Sequence, residues 1–182
     1  MKNQAGNEMT PDPESKSSGN TVSISTTRFG DVEVSEQLLI EFPNGLIGFE
    51  TFTRYVILEN KTPGPFKWLQ CVDEPDLAFV VTEPEAFFEN YDVPVTEDVL
   101  SRIELTDVGA GVLLALVTTS RKSASVTVNL QGPILFNPEK QLACQLALQT
   151  SEYGTQHPIP LEGPLEEETK DQKNITLEEE AC

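Results

Sequence analysis

The stretch Phe66–Asp92, FKWLQCVDEPDLAFVVTEPEAFFENYD, decides the fold. It contains two apolar-rich runs, residues 66–72 and 77–81, on either side of the turn sequence Asp73-Glu74-Pro75-Asp76. Aspartate and proline favour a turn here because the aspartate side chain bonds to the local backbone and proline restricts one backbone angle. The stretch therefore predicts two neighbouring antiparallel strands joined by an acidic turn.

Short strand-like runs, separated by turn signals, flank this pair on both sides. We expect strands at residues 21–25, 32–34, 38–42, 55–58, 110–118, 126–130, 134–136 and 141–148. Such short strands at nearly regular spacing favour an antiparallel sandwich or a small barrel. The last run, QLACQLAL, also fits a helix, because its apolar spacing suits both structures. The predicted fold is thus mostly β, a single antiparallel domain with one or two short helices.

Two short helices are expected between the central strands. Thr82-Glu83-Pro84-Glu85 matches a capping box and predicts that residues 86–88 are helical. Thr96 precedes Glu97 and Asp98 and predicts a second helix start, with apolar residues 99, 100 and 103 on one face.

Composition divides the chain into an arm, a domain and a tail. Residues 1–20 are rich in Pro, Ser, Asn and Gly and predict a disordered N-terminal arm, whereas residues 161–182 predict an acidic, flexible C-terminal tail. The formal net charge is −18, of which −11 falls within the predicted β domain, residues 21–160, and −6 within the tail. This field repels nucleic acid and anionic membranes and attracts basic partners. No secretory signal or membrane-spanning run is evident, so a cytoplasmic location is expected.

The sequence offers little for catalysis, and we expect no enzyme activity and no cofactor. Three cysteines, Cys71, Cys144 and Cys182, are too widely spaced for a zinc site, and the first two are expected to be buried thiols. His157, the single histidine, has no evident nucleophile nearby and is expected to cap or pack. No metal site is expected, because the acidic turn lacks calcium-loop spacing, although a weak divalent-ion site there stays open as an alternative.

Charge distribution is the most informative functional feature. Between Asp73 and Asp107 there are eleven acidic residues and a single basic one, Arg102. Helix starts and turns account for several of these acids. Two acids near Tyr91 have no such explanation, and an exposed tyrosine beside them is typical of a charge-complementary interface. The candidate partner-binding residues are Asp73, Glu74, Asp76, Phe88, Glu89, Tyr91 and Asp92. The alternative is a solvated acidic rim with Tyr91 packed inward.

Several ordered blocks resemble a known family. FPNGLIGFE (residues 42–50) is similar to the F-P-x-G-x-x-G-F-E motif of the FliW family of flagellar assembly factors. WLQ (68–70), the acidic turn and AFVV (78–81) resemble that family's second block, and FFENYD (87–92) its F-F-x-x-Y-[DE] segment. TVNL (127–130), Pro133-Ile134, Tyr153 and His157-Pro158 resemble the last blocks. The resemblance covers about residues 22–160, so neither tail is included.

The resemblance implies a barrel-like fold without enzymatic activity. Family members bind flagellin in the cytoplasm and antagonise CsrA, a basic RNA-binding protein that represses flagellin translation. By this resemblance, Asp92 corresponds to a family carboxylate at the CsrA interface. Two other hypotheses stay open: a chaperone that binds flagellin only, and a carboxylate-lined small-ligand barrel or hydrolase.

Overall fold

The computed structural model describes residues 20–120, 125–149 and 152–160. The predicted disordered arm (residues 1–20, apart from Asn20) and the predicted acidic tail (161–182) lie outside the described residues. The strands are β1 Thr21–Thr26, β2 Gly30–Ser35, β3 Leu39–Glu41, β4 Arg54–Leu58, β5 Phe66–Cys71, β6 Ala78–Thr82, β7 Val112–Ser120, β8 Ser125–Val128, β9 Ile134–Asn137, β10 Leu142–Gln145 and β11 His157–Pro158. Helix α1 is Glu97–Arg102, and single 3-10 turns occupy Glu36–Leu38, Pro84–Ala86 and Val108–Ala110.

Seven of the strands close into a barrel. Their order is β7-β6-β5-β4-β3-β10-β9, and β9 pairs back with β7. The pairings are antiparallel except for β3 with β10, which run parallel with Glu41 opposite Leu142. Strand β8 pairs with the second half of β7, and β11 pairs with β8 outside the ring. Strands β1 and β2 form a separate hairpin. The structure thus confirms the predicted β-barrel-like fold and selects the barrel over the sandwich.

The predicted strands are all present, with shifted ends. Residues 66–71 and 78–82 form the central antiparallel pair, with Trp68 opposite Val80. The helical alternative for residues 141–148 is wrong, because residues 142–145 pair with β9 as strand β10. The two-residue strand β11 was not predicted, since its sequence carries no alternating apolar pattern.

Strand β7 explains why residues 110–118 form a continuous apolar run. Val112, Leu114 and Leu116 pack in the barrel interior, whereas Leu113, Ala115 and Val117 pack in a second core outside the wall. Successive side chains of a strand point to opposite faces, so both faces of this strand are covered. The first residue of the run, Ala110, instead ends the 3-10 turn before β7, and Gly111 follows that turn as its C-cap.

The barrel interior is filled with apolar side chains. Each of the seven barrel strands supplies at least one buried residue to it: Ile40, Tyr55, Leu69, Cys71, Val81, Leu114, Ile134, Phe136 and Ala143. None of the described Asp or Glu residues is buried; the buried polar residues are Thr26, Gln70, Thr82 and Asn137. The hypothesis of a barrel lined by carboxylates therefore has no counterpart in the described interior.

The second core lies between the outer face of the barrel wall and residues 91–105, which cross that face. Residues 91–105, including α1, pack with β8 and β11 over the outer face of β7 and β9. The β1–β2 hairpin covers β4 through a smaller cluster centred on Ile24, Val34 and Val56.

Only one of the two predicted helices is found. Helix α1 begins after Thr96 and has Glu97 and Asp98 in its first turn, as expected. The capping box at residues 82–85 is wrong: Thr82 ends strand β6, and its hydroxyl donates to the Pro65 carbonyl over 2.8 Å. The Thr82 side chain therefore cannot cap a helix, and the short 3-10 turn stops before Phe87 and Phe88. None of the helices in residues 20–120, 125–149 and 152–160 is long and apolar enough to cross a membrane.

Candidate functional site

The predicted site residues fall into two groups at opposite ends of strand β6. Asp73, Glu74 and Asp76 lie in the turn before β6, and residues 88–92 follow its far end. A five-residue strand is about 17 Å long. The structure therefore does not unite the seven residues into one surface.

Two of the three acids of the β5–β6 turn make side-chain contacts that hold the turn. Asp73 forms an ion pair with Arg54 on the neighbouring strand β4. The Glu74 carboxylate accepts from the backbone N–H of Asp76 over 3.4 Å. The tip of the β1–β2 hairpin also docks here, where Thr27 donates its N–H to the Pro75 carbonyl over 3.2 Å. The side-chain contacts give Asp73 and Glu74 a structural role, whereas the exposed Asp76 takes part through its backbone.

Gln70 organises the same turn and was missed by sequence reasoning. Its side chain is buried, and Nε2 lies 3.0–3.3 Å from the backbone carbonyls of Cys71, Glu74, Pro75 and Leu77. The available signal was an amide in an apolar strand immediately before a turn. Buried amides need partners, and unpaired turn carbonyls are the nearest acceptors.

Asn137 is a second missed residue. Its Nδ2 donates to the Ile103 carbonyl over 2.8 Å, and its Oδ1 accepts from the Glu139 N–H over 3.0 Å. The side chain thereby joins the end of α1 to the turn between β9 and β10. The sequence Asn137-Pro138 predicts the turn but not this long-range tie.

Tyr91 is buried, so the expectation of an exposed tyrosine is wrong. Its side chain is 8% exposed, and its hydroxyl donates to the Leu130 carbonyl over 2.6 Å. Its ring packs edge-on against Tyr153 at 4.9 Å. Burial raises the pKa of the Tyr91 hydroxyl above its usual range. The inward-packed alternative for Tyr91 is the one observed.

The neighbours of Tyr91 divide between core and surface. Phe88 is half-buried and packs edge-on against the His157 ring at 6.3 Å. Glu89 and Asp92 are exposed. Asn90 adopts a positive φ of 63°, which turns the chain between them.

An acidic cleft lies beside Asp92. We use this name for a surface cleft of about 380 Å³ whose lining includes the acidic residues Glu83, Glu85 and Asp92, together with Tyr91, Val93, Val108, Gly109, Gly111, Val112 and Leu113. Glu83 has one distant partner, Lys67, at 3.9 Å. Within the described residues, Glu85, Glu89 and Asp92 form no ion pair. The cleft and its margin thus carry uncompensated negative charge.

His157 and the cysteines take structural places. His157 Nε2 accepts the Gly154 N–H over 2.8 Å, as a packing or capping role predicts. Cys71 is buried and Cys144 is half-buried, and burial raises the pKa of both thiols. Among residues 20–120, 125–149 and 152–160, no three His, Cys, Asp or Glu side chains are grouped so that they could hold a metal ion.

A closed barrel with an apolar interior and no buried carboxylate among the described residues places the chain in the class of small, filled β-barrel proteins. The family model described as FliW protein matches residues 23–159. The flagellar assembly factor FliW of Natranaerobius thermophilus is 42% identical over 137 residues, which cover 75% of this chain and 91% of that protein. The factor from Geobacter sulfurreducens is 41% identical over 138 residues, 76% of this chain and 86% of that protein.

A solved structure agrees with these relatives. The crystal structure of a flagellar assembly factor FliW superposes with a TM-score of 0.71 and 31% sequence identity, covering 78% of this chain and 100% of that one. The chain therefore belongs to the FliW family of flagellar assembly factors.

Proposed function

We propose that this chain acts in the cytoplasm as a flagellar assembly factor that binds flagellin and antagonises CsrA. Binding of CsrA would relieve repression of flagellin translation, and flagellin would compete for the factor. The activity needs no catalysis and no cofactor, and it involves neither nucleic acid nor a membrane directly. The proposal rests on membership of the FliW family and on the acidic cleft.

The observation that carries the proposal is the unpaired charge at the cleft. Glu85 and Asp92 are exposed and have no basic partner among the described residues. An RNA-binding protein such as CsrA presents basic groups, because it must neutralise phosphates. Opposite potentials speed encounter and disfavour wrong partners. The same negative field repels RNA, so the chain would engage the protein rather than its nucleic acid.

Burial and ion pairing favour one end of the predicted site as the CsrA contact. Asp92 and Glu89 stay available at the surface, whereas Tyr91 supports them from within. Asp73 is occupied by Arg54, so the turn residues Asp73, Glu74 and Asp76 are the weaker half of the predicted site. We therefore assign the CsrA contact to the Asp92 end of strand β6.

The deciding experiment uses the full chain as bait with purified CsrA and purified flagellin from the same host. We expect a stoichiometric complex with each protein alone, and displacement of CsrA as flagellin is added. Retention of flagellin without CsrA would reduce the function to that of a flagellin chaperone. Failure to retain either protein would overturn the proposal.

A further inference from the structure

A cationic groove lies on the outer side of strand β5. We use this name for a groove of about 520 Å³ lined by Arg28 and Lys61 together with Phe29, Asn60, Phe66 and the loop 62–64. No Asp or Glu lines it, although the chain has 30 acidic residues and 12 Lys or Arg residues. The groove therefore differs in charge from the rest of an acidic molecule.

The two cations of the groove are also the unpaired ones. The described residues include six Lys or Arg residues, and four of these form ion pairs: Arg54, Lys67, Arg102 and Lys140. Arg28 and Lys61 form none with any described residue. Both therefore keep their charge available for an anionic group.

Three residues that line the groove, Arg28, Phe29 and Asn60, contact Trp68. The Arg28 guanidinium lies 4.9 Å from the centre of the Trp68 ring, a cation–π geometry. Trp68 Nε1 donates to Asn60 Oδ1 over 2.8 Å, and Asn60 Nδ2 donates to the Phe66 carbonyl over 2.6 Å. Phe29 packs edge-on against Trp68 at 6.0 Å. These contacts orient Arg28 before any ligand arrives.

We propose that the cationic groove binds the acidic segment 161–182 of this same chain. That segment carries eight acidic residues and two lysines, with three consecutive glutamates at both 166–168 and 178–180. Carboxylates would pair with Arg28 and Lys61, and Leu165 beside the first glutamate run suits the apolar walls at Phe29 and Phe66. Charge complementarity selects this segment from the sequence.

The length of the segment fits this occupant. The described chain ends at Pro160, after strand β11, which pairs with β8. Strands β11, β8, β7, β6 and β5 are successive neighbours, so β11 and β5 lie about 19 Å apart along the sheet. Six to eight extended residues span at most ~20–28 Å. The glutamates at 166–168 can thus just reach the cationic groove, and those at 178–180 can reach it without full extension of the chain.

This inference is independent of the proposed function. The family model matches residues 23–159, so segment 161–182 lies outside the region shared with the relatives. The groove lies on the outer face of β5, whereas the acidic cleft lies beyond the end of β6. Loss of CsrA or flagellin binding would leave the proposal for the groove untouched.

The test compares backbone and indole NMR spectra of three full-length chains. One is the wild type, the second has the six glutamates at 166–168 and 178–180 changed to glutamine, and the third is a control. The control changes Glu85, Glu89 and Glu139, which do not line the groove, to glutamine. Trp68 is the single tryptophan, so its indole resonance is assigned without ambiguity.

We expect the tail-neutralised chain to differ from the wild type at Phe29, Lys61, Gly64 and the Trp68 indole, and the control to leave these resonances in place. Shortening the Debye length to ~3 Å with about 1 M salt should move the same resonances in the wild type only. Unchanged groove resonances in the tail-neutralised chain would overturn the proposal. Changes spread evenly over the barrel surface would do the same.

A charge exchange tests direct contact. Lys61→Glu should release the segment, and changing the glutamates at 166–168 to lysine in that background should restore the wild-type position of the Trp68 indole resonance. Arg28 is left unchanged because it lies over the Trp68 ring and would alter that resonance by itself. A doubly exchanged chain that stays in the released state would overturn the assignment of segment 161–182 to the groove.

Discussion

The Tyr91 hydroxyl donates a 2.6 Å hydrogen bond to the Leu130 carbonyl, 39 residues further along the chain. This bond connects two parts of the chain. One is the segment 88–92, which leads to the acidic cleft, and the other is the chain just after the end of strand β8. Asp92 immediately follows Tyr91, and its backbone N–H donates to the Tyr153 hydroxyl over 3.3 Å. The backbone position of the exposed Asp92 is therefore set by two tyrosines, one of them buried in the second core.

Tyr91→Phe should destabilise the fold. The change removes the hydroxyl and leaves the Leu130 carbonyl buried without this donor, which costs about 1–3 kcal/mol. Urea unfolding monitored by circular dichroism measures the effect. Tyr153→Phe is the matched control, because its hydroxyl bonds at a more open position, and it should cost less than ~0.5 kcal/mol. Equal losses for the two variants would contradict the structural assignment of Tyr91.

Asp92→Lys should weaken CsrA binding while leaving stability close to that of the wild type. The substitution reverses a surface charge beside the acidic cleft, and removal of a steering charge lowers mainly the association rate. Stopped-flow or surface plasmon resonance at two salt concentrations measures that rate, and its salt dependence should decrease.

Asp76→Lys is the control for that charge reversal. It makes the same change in net charge at the other end of strand β6. We expect a much smaller loss of affinity than for Asp92→Lys. Equal losses for the two variants would mean that net charge, rather than a local contact, sets the affinity. If only Asp76→Lys lost affinity, the CsrA contact would have to be moved to the β5–β6 turn.

Stability should fall at alkaline pH. Burial raises the pKa of the Cys71 thiol above its ordinary value of 9.0 and the pKa of Tyr55 and Tyr91 above their ordinary value of 10.0. A raised pKa means that the unfolded chain loses the proton first, so the stabilisation is complete below pH ~9 and is lost as the pH rises. Each group contributes a slope of up to ~1.4 kcal/mol per pH unit.

Urea midpoints between pH 7 and pH 10.5 measure this effect, and the variant Cys71→Ala isolates one group. Its absolute stability should be lower because a buried side chain is shortened. The decisive quantity is the slope between pH 9 and pH 10, which should be shallower than in the wild type. An identical slope would mean that Cys71 does not contribute to the alkaline loss.

Gly45→Ala should destabilise the fold more than Gly48→Ala. Both residues have a positive φ, 65° and 86°, which costs a non-glycine residue about 1–2 kcal/mol. A Cβ on Gly45 would also lie 2.6 Å from the Glu50 Cα, whereas a Cβ on Gly48 meets nothing within 4 Å. Thermal unfolding of the two variants measures the difference. Comparable losses would show that the loop relaxes and that backbone conformation alone matters.

Much of the fold could be read from local sequence. The acidic turn at residues 73–76 and the apolar runs beside it predict the β5–β6 pair, because turn chemistry and strand propensity act between near neighbours. The unbroken apolar run at residues 110–118 likewise indicates that both faces of strand β7 are buried. By contrast, the capping box predicted at residues 82–85 is wrong. Thr82 pairs with strand β5 as the last residue of β6, and its hydroxyl donates to the Pro65 carbonyl.

The candidate site was predicted from the sequence less well than the fold. Asp92 and Glu89 are exposed as expected, but Asp73 is paired with Arg54 and Tyr91 faces the core. Which side of a chain segment faces the core depends on what packs against it. For Tyr91 that partner, Leu130, is remote in sequence, so no local pattern could assign the direction.

The amino-acid sequence by itself determined the strands, the excess of negative charge and the family, because each depends on residue type, order and short-range geometry. The tertiary structure alone decided that the strands close into a barrel, that the acids separate to opposite ends of β6, and that Arg28 and Lys61 share one groove. Those features depend on contacts between residues far apart in the chain. Such contacts form only where packing brings the strands together.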